Sequence, residues 1–374
     1  MPAECAAFAP GRVNLIGEHT DYNRGLALAF AIAEGVTVRA QPPGGGDPAL
    51  DARIRVQARD LEESDEFSPA AVEPAPGWRA FVRGVVGELA RAGYPVPAGR
   101  VEISGDVPRG GGLSSSAALE VALCLALSRL SVLAGAGPSG GAGLERMDIA
   151  RLCSRVENDW VGAQTGLLDQ LACLYGSTDH ALLIDFRSLE VEPVPLLLGD
   201  WRLVALDSGE RHSHASSGYN ERRAECASAC QLLGVESLRE AGEDEAAALP
   251  QPLDRRARHV LDENRRVLDA VSALRSGDIA ALGTLLDASH ASLRDLYEVS
   301  TPAVEQAVAR MRSCGATGAR MVGGGFGGSI LGLFAPGTTP PLKARDVRPS
   351  AGAHRLDGRS PPPVTDERPR GRTP

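Results

Sequence analysis

Residues 108–119 read PRGGGLSSSAAL, and they lead from a short strand pattern at 100–107 into a long apolar helical pattern. The glycines let the backbone approach a ligand closely, and the unpaired amides at a helix N-terminus favour an anion. The three serines can cap the helix, bind phosphate oxygens or hold Mg²⁺, which prefers oxygen ligands. A plain glycine turn with serine caps has similar composition, but the order of strand, glycines, serines and helix favours phosphate binding.

A second stretch, GRVNLIGEHTDYN at 11–23, places four ionisable side chains within ten residues of each other. They are Arg12, Glu18, His19 and Asp21. Carboxylates that accept from hydroxyl groups suit a polyol, and a site of buried hydrogen bonds rejects analogues that lack the matching hydroxyl. An arginine can neutralise phosphoryl charge. A solvated acidic turn fits the same residues equally well, so this stretch alone leaves both interpretations open.

A third stretch, ENDWVGAQTGLLDQ at 157–170, contains two carboxylates, Glu157 and Asp169, separated by glycines that can turn the chain back. One carboxylate could bind a metal while the other takes a proton from an attacking hydroxyl. Taken alone, the stretch would be interpreted as the end of a surface helix.

The glycine run GGGFGG at 323–328 lies between two apolar strand patterns. So many glycines indicate positive φ angles and close approach of the backbone to a neighbour. We expect a loop that lines the same cleft, and a flexible hairpin is the alternative.

The basic residues exclude one kind of nucleotide site. Lysine and arginine number 39, and only Lys343 is lysine. A P-loop needs a lysine directly after its glycine-rich stretch, so nucleotide phosphates would have to be bound without it. The same count argues against Schiff-base chemistry on lysine.

Composition predicts a globular protein of two domains. The chain has 374 residues, of which 43% are hydrophobic and 23% charged, with a net charge of −9. The acidic balance argues against a nucleic-acid partner, and we expect no membrane partner because no apolar run approaches the length of a membrane span. Seven scattered cysteines without a C-x-x-C motif indicate reduced thiols. These thiols indicate a cytoplasmic protein, and separately we expect a monomer.

Periodicity outlines most of the secondary structure. Strands are predicted at 12–16, 26–41, 52–58, 100–107, 180–188, 201–208 and on both sides of 323–328. Helices are predicted at 78–93, 113–135, 145–162, 167–176, 219–234 and 301–315, with two more within 254–297. The acidic stretch at 235–249 is predicted to be mainly solvated.

The stretches GRVNLIGEHTDYN, PRGGGLSSSAALEVA and GARMVGGGFGGSI, in this order, resemble the galactokinases, a branch of the GHMP small-molecule kinases. The resemblance runs from about residue 8 to about residue 334. It implies an α+β fold of two domains with the active site in the cleft between them. The N-terminal domain, 1–195, would be like the second domain of ribosomal protein S5, and the C-terminal domain, 196–357, would be ferredoxin-like. By composition, 358–374 is a disordered tail rich in Pro and Arg.

The resemblance also implies an activity: ATP-dependent phosphorylation of α-D-galactose at the anomeric hydroxyl, the first step of the Leloir pathway, with Mg²⁺ as cofactor. Matched position by position, the catalytic residues are Asp169 and Arg12. The sugar-binding residues are Glu18, His19, Thr20, Asp21 and Tyr219. The phosphate loop is Gly110, Gly111, Gly112, Leu113, Ser114, Ser115 and Ser116, and the Mg²⁺ ligands are Ser116 and Glu157.

The chain departs from the family pattern at two places. Arg24 stands where the family has a small residue, at the mouth of the sugar loop. Near the end, VRPSAGAHRLD at 347–357 resembles the family's last strand, but only APGTTPPLKARD separates it from Phe334. Three prolines there argue against the family's last helix. Without that helix, one face of the C-terminal sheet would lie uncovered.

Three alternatives follow. The chain could phosphorylate a related sugar such as N-acetylgalactosamine or L-arabinose. It could be a catalytically silent sensor of galactose and ATP, although its phosphate loop and Asp169 are intact. An unstable or inactive protein is the third alternative.

Overall fold

The computed structural model describes residues 4–43, 52–108, 110–138, 143–210 and 215–356. Within these ranges the chain forms two β-sheets with helices packed against them. This is the α+β architecture that the resemblance implies. The tail predicted at 358–374 lies outside the described residues.

The larger sheet has eight strands within the described ranges. They are β1 (Cys5–Ile16), β2 (Leu26–Gln41), β3 (Ile54–Ala58), β4 (Glu63–Phe67), β5 (Gly99–Gly105), β6 (His180–Asp185), β7 (Glu190–Pro195) and β12 (His354–Arg355). The order β12-β1-β2-β5-β3-β4 forms the main path, while β6 pairs with β2 and β7. Strands β1 and β2 are buried along most of their length, which accounts for their continuous apolar sequence.

Four helices of the N-terminal half pack with this sheet. They are α1 (Trp78–Arg91), α2 (Ser115–Leu133), α3 (Arg146–Arg155) and α4 (Leu168–Tyr175). Helices α2 and α4 contact β1 and β2, and α1 and α3 pack against α2. By length and composition α2 could cross a membrane, contrary to the expectation from the sequence, but 67% of its most apolar stretch is buried inside the protein. It is therefore the central helix of the core.

The smaller sheet has four strands in the order β11-β8-β10-β9, all antiparallel to their neighbours. They are β8 (Arg202–Asp207), β9 (Ala316–Val322), β10 (Ser329–Phe334) and β11 (Arg345–Asp346). Its helices are α5 (Ala215–Leu233), α6 (Glu243–Ala247), α7 (Leu253–Ser276), α8 (Ile279–Asp295) and α9 (Pro302–Ser313).

Both faces of the smaller sheet are covered, so the expected consequence of a missing helix does not arise. Residues 335–344 form turns and no helix, as the prolines predict. Every residue of β10 is nevertheless buried. Leu331 and Leu333 join the core shared with the larger sheet, whereas Ile330 and Phe334 pack in the core beneath the C-terminal helices.

The end of the described chain returns to the larger sheet. Strand β12 pairs with β1, and the Gly352 amide donates to Gly176 O (2.8 Å). The expected C-terminal domain, 196–357, therefore sends its last described residues, 350–356, back to the larger sheet. Antiparallel pairing with the exposed edge of β1 satisfies backbone groups there that would otherwise lack partners.

Candidate active site

The loop between β1 and β2, residues 17–25, is called the sugar loop below. It turns through left-handed backbone at Gly17 (φ +104°) and His19 (φ +61°). The Thr20 hydroxyl donates to Gly17 O (2.9 Å) and Leu26 O (2.7 Å), and so closes the loop from inside. Thr20 was predicted to bind sugar, but it is fully buried and does not line the cavity at this site. Its hydroxyl holds the shape of the loop.

Arg12 and Asp169 form an ion pair, although 157 positions separate them. The Arg12 Nε donates to Asp169 Oδ1 (2.8 Å), and Nη2 lies 2.6 Å from the same oxygen. The Ser114 hydroxyl donates to Asp169 Oδ2, and Arg12 Nη1 donates to Gly112 O (2.5 Å). The Arg12 amide donates to Leu113 O (3.1 Å). Strand β1, helix α4 and the loop before α2 therefore meet at one pair of charges.

A cavity of about 270 Å³ opens beside this pair. Six residues predicted from the sequence line it: Arg12, Glu18, His19, Asp21, Asp169 and Tyr219. The remaining lining residues are Ala163, Thr165, Gly166, Leu168, Asn220, Gly323, Gly324 and Gly325. The glycine run before β10 thus lines the same cleft, as the sequence predicts. Both sheets contribute to the cavity wall.

Glu18 is held by a cation that sequence reasoning missed. Its Oε1 accepts from the Gly323 amide (2.7 Å) and lies 3.2 Å from Arg320 Nη2. Arg320 is fully buried in β9, and its Nη1 donates to Asn14 O and Leu15 O (both 2.9 Å). Burial raises the pKa of Glu18, and the arginine charge opposes that shift. A lone arginine within an apolar strand was the available signal, because such a charge is rarely buried without a partner.

His19 and Asp21 add polar groups whose charge is weakened by burial. Burial lowers the pKa of His19 to about 3, so the imidazole is neutral at pH 7, and its Nδ1 lies 2.8 Å from Tyr22 Oη. Burial, aided by the Asp169 charge, raises the pKa of Asp21 to about 6. The Tyr219 ring lies 5.2 Å from the imidazole. A wall that combines hydrogen-bond donors and acceptors suits a ligand rich in hydroxyls.

The predicted phosphate loop forms the turn that enters α2. It consists of Gly110, Gly111, Gly112, Leu113, Ser114, Ser115 and Ser116. Gly110, Gly112 and Ser114 have positive φ (+66°, +71° and +58°). A Cβ on Gly112 would lie only 2.8 Å from Val322 O, so glycine is required by space as well as by conformation. The first-turn amides of α2 have no partner within the helix and can face an anion.

Glu157 and Ser116, the predicted metal ligands, lie next to each other and outside the cavity lining. Glu157 follows α3 in a wider helical turn, Val156–Val161. It accepts from the Thr165 hydroxyl and from Gln170 Nε2 (3.1 Å). Burial and then the Asp169 charge raise the pKa of Glu157 to about 7, and hydrogen bonds, one of them from Ser116, oppose the shift.

Arg24, the departure at the mouth of the sugar loop, does not line the cavity. Its guanidinium pairs with Glu236, and both side chains are about half exposed or more. Such pairs contribute little to stability. The Arg24 carbonyl accepts from Arg239 Nη1 (3.0 Å), so the loop mouth contacts the C-terminal half of the chain.

Family models match three parts of the chain. The GHMP kinases N terminal domain matches residues 80–177, and GHMP kinases C terminal matches 270–353. The galactokinase galactose-binding signature matches 2–42, which includes the sugar loop.

A galactokinase from Mycobacterium tuberculosis is 45% identical to this chain, over 91% of this chain and 90% of that protein. The chain belongs to the galactokinase family. A family member from Roseiflexus sp. is 44% identical over 87% of this chain and 82% of its own length. The chain is accordingly a kinase of the GHMP type.

Solved structures agree with this fold. The galactokinase of Lactococcus lactis, in complex with galactose, has a TM-score of 0.83 and 30% identity, with coverage of 94% of this chain and 95% of that one. A mevalonate kinase has a TM-score of 0.64 at 15% identity, which shows the fold alone. This chain therefore has the two-domain α+β fold of the GHMP kinases, as the Lactococcus lactis galactokinase does.

Proposed function

We propose that this protein is a galactokinase, which transfers the γ-phosphoryl group of ATP to the anomeric hydroxyl of α-D-galactose and gives α-D-galactose 1-phosphate and ADP. The observation that carries the proposal is the Arg12–Asp169 pair. It forms part of the cavity wall and also contacts the phosphate loop at Gly112 and Ser114. A carboxylate shared by a sugar-sized cavity and a phosphate loop supports a role in phosphoryl transfer to a hydroxyl.

In the proposed reaction, the sugar O1 forms a bond to the γ-phosphorus while the bond to the bridging oxygen of ADP breaks. Asp169 accepts or orients the hydroxyl proton, and Arg12 stabilises the charge of the phosphoryl group. Phosphoryl transfer depends mainly on positioning and charge neutralisation. Helix amides and an arginine can supply both, which explains how the chain acts on ATP without a P-loop lysine.

The sugar contacts follow from the chemistry of the wall. Glu18, Asp21 and His19 offer acceptors and donors to hydroxyl groups, and Tyr219 offers an aromatic surface next to His19. A site of this kind discriminates by leaving its buried polar groups unpaired when a hydroxyl is missing or inverted. We therefore assign these four residues to galactose binding.

The residues near Ser116 fit a magnesium ion. A buried carboxylate and a hydroxyl are oxygen donors of the kind that Mg²⁺ takes, and this ion usually adds phosphate and water oxygens to one or two protein ligands. We propose Glu157 and Ser116 as its protein ligands. When bound with ATP, the ion would neutralise phosphate charge. In this role Thr165 and Gln170 orient the Glu157 carboxylate through their hydrogen bonds.

We also propose a cytoplasmic monomer without nucleic-acid or membrane partners. The net charge of −9 supports the first exclusion. The burial of most of α2 supports its role as a core helix.

The test is ADP release, measured with a coupled assay over a panel of free sugars with Mg²⁺ and ATP. We expect turnover with galactose and little with glucose, which differs from galactose only at C4. If turnover is faster with N-acetylgalactosamine or L-arabinose, that sugar and not galactose is the substrate. Binding of galactose and ATP without ADP release would overturn the catalytic proposal and favour the sensor.

A further inference from the structure

One face of helix α7 contacts the backbone of the sugar loop, although no residue of α7 lines the cavity among the described residues. Three α7 side chains make these contacts: His259, Glu263 and Asn264. A spacing of four residues places His259 and Glu263 on one face of the helix, and Asn264 follows directly after Glu263. His259 and Glu263 are fully buried, so their polar atoms depend on partners inside the protein.

Glu263 binds the first residue of the loop. Its Oε1 accepts from the Gly17 amide (3.0 Å) and from the Ser289 hydroxyl (2.6 Å), while Oε2 accepts from Arg266 Nε (2.7 Å). Burial opposes the charge, but Arg266 and its other neighbours lower the pKa of Glu263 to about 2. The loop amide is therefore held by a permanent anion, and hydrogen bonds to a charged group are among the stronger ones.

Asn264 binds the residue that directly follows the other end of the loop, Leu26 at the start of β2. Its Oδ1 accepts from the Leu26 amide (2.7 Å), and its Nδ2 donates to Val260 O (2.8 Å). A Cβ on Gly25 would lie 2.6 Å from the same Oδ1, so the close approach depends on glycine at that position.

His259 binds the loop between these ends. Its Nε2 lies 3.2 Å from Glu18 O, and its Nδ1 lies 2.8 Å from Ser292 Oγ. Glu18 is the residue whose carboxylate lines the cavity, so this contact fixes the backbone that presents it.

We propose that His259, Glu263 and Asn264 of α7 are positioning residues that set the affinity for galactose by fixing both ends of the sugar loop. The inference rests on the proposed function, because it takes the cavity to be the galactose site. A loop held only at β1 and β2 would have to lose conformational freedom when sugar binds, and this lowers affinity. The α7 contacts remove that cost before the sugar arrives.

The experiment compares Asn264→Ala with the parent protein. The variant leaves the Leu26 amide without its acceptor, Asn264 Oδ1. We expect KM for galactose to rise about tenfold, while KM for ATP stays within about twofold. Asn264→Asp keeps the Oδ1 acceptor and should hold KM for galactose within about threefold of the parent. Calorimetric titration with galactose alone should give the same order of affinities. A purely structural role would not separate the two substrates.

Glu88→Gln is the matched control for Glu263→Gln. Glu88 is also a buried carboxylate on a helix, and its partners among the described residues, Arg155 (2.7 Å), Arg91 and Trp160, lie outside the sugar loop. Both variants should have a lower melting temperature than the parent, but only Glu263→Gln should weaken galactose binding.

The outcomes separate the two proposals. Equal KM values for galactose in the parent and Asn264→Ala overturn the α7 proposal and leave the galactokinase proposal standing. A parent protein without galactose turnover overturns both. If Glu263→Gln fails to fold, the Asn264 pair still decides the question.

Discussion

Both oxygens of Asp169 are engaged, one by Arg12 and the other by Ser114. The pair lies at the cavity wall, with the carboxylate 27% exposed and the guanidinium only 6% exposed. This asymmetry leaves the carboxylate accessible to a ligand and keeps the arginine behind it.

Asp169→Ala should therefore lower kcat by about 10² to 10⁴, because it removes the group that accepts or orients the hydroxyl proton. ATP binding, measured by calorimetry, should persist. Asp159→Ala is the control, since Asp159 is exposed and lies outside the cavity lining. Near-normal turnover of Asp169→Ala would refute the catalytic assignment.

Glu120 is another fully buried carboxyl, on α2, and the Gln170 side chain lies beside it as a hydrogen-bond partner. Burial, followed by the charge of Glu157, raises its pKa well above the ordinary value. In the unfolded chain the pKa of a glutamate is about 4.3. Above that pH the unfolded chain has released the Glu120 proton, whereas the folded protein still holds it.

This difference costs stability as the pH rises above the pKa of the unfolded chain. Glu120→Gln removes the titrating group and keeps the shape. We expect the difference in melting temperature, variant minus parent, to increase from pH 4 to pH 8. Melting curves at several pH values test this. A constant offset across that range would mean that Glu120 is charged in the folded state.

At the scale of elements, the turn into α2 is the most constrained segment of the site. Gly112 combines a φ of +71° with a neighbour, Val322 O, that would lie 2.8 Å from an added Cβ. The turn belongs to the N-terminal half and its neighbour to β9, so the contact joins the two sheets.

Gly112→Ala should raise KM for ATP about tenfold and lower stability by more than about 1–2 kcal/mol, the usual cost of a left-handed non-glycine residue. Gly135→Ala is a close control, because Gly135 has the same φ of +71° and no atom of the described residues lies within 4 Å of the added Cβ. The control should show the conformational cost alone. Equal effects of both variants on KM would contradict the role given to the turn.

The elements that periodicity missed are charged edge segments. Strand β4 reads ESDEF and is exposed at most positions, and β7 contains two prolines. Their pairing with β3 and β6 supplies the stability that their composition does not indicate. The stretch at 235–249, predicted to be solvated, contains the short helix α6 and buries Leu238 and Ala246.

At the scale of the whole molecule, the return of residues 350–356 ties the end of the described chain to the larger sheet. Gly352 lies against α4, where an added Cβ would be 2.7 Å from Leu174 O and 2.8 Å from Gly176 N. The chain therefore crosses from the smaller sheet back to the larger one through a narrow passage.

Gly352→Val should lower the free energy of unfolding by about 1–3 kcal/mol through overpacking. Gly143→Val is the control, because within the described part of the chain the only neighbour within 4 Å of its added Cβ is Arg355 Nη2 at 3.9 Å. Urea unfolding of both variants measures the difference. Equal stabilities would show that the passage can widen without cost.

The sequence alone determined the two-domain α+β fold, the kinase family and most of the cavity wall, because these depend on motifs whose residues are contiguous. Glycines, serines and carboxylates at fixed local spacing specify a turn or a cluster before any tertiary contact forms. The pairing of Arg12 with Asp169 followed from the family resemblance, and the structure brings the two side chains together.

Only the tertiary structure decided which distant residues bind the backbone and side chains of the sugar loop. Arg320, His259, Glu263 and Asn264 lie more than 200 positions from the sugar loop they contact. Thr20 faces the inside of the loop, and 350–356 leave the smaller sheet for the larger one. No local pattern encodes these contacts, because burial and hydrogen-bond partners far along the chain are settled only when the two sheets pack together.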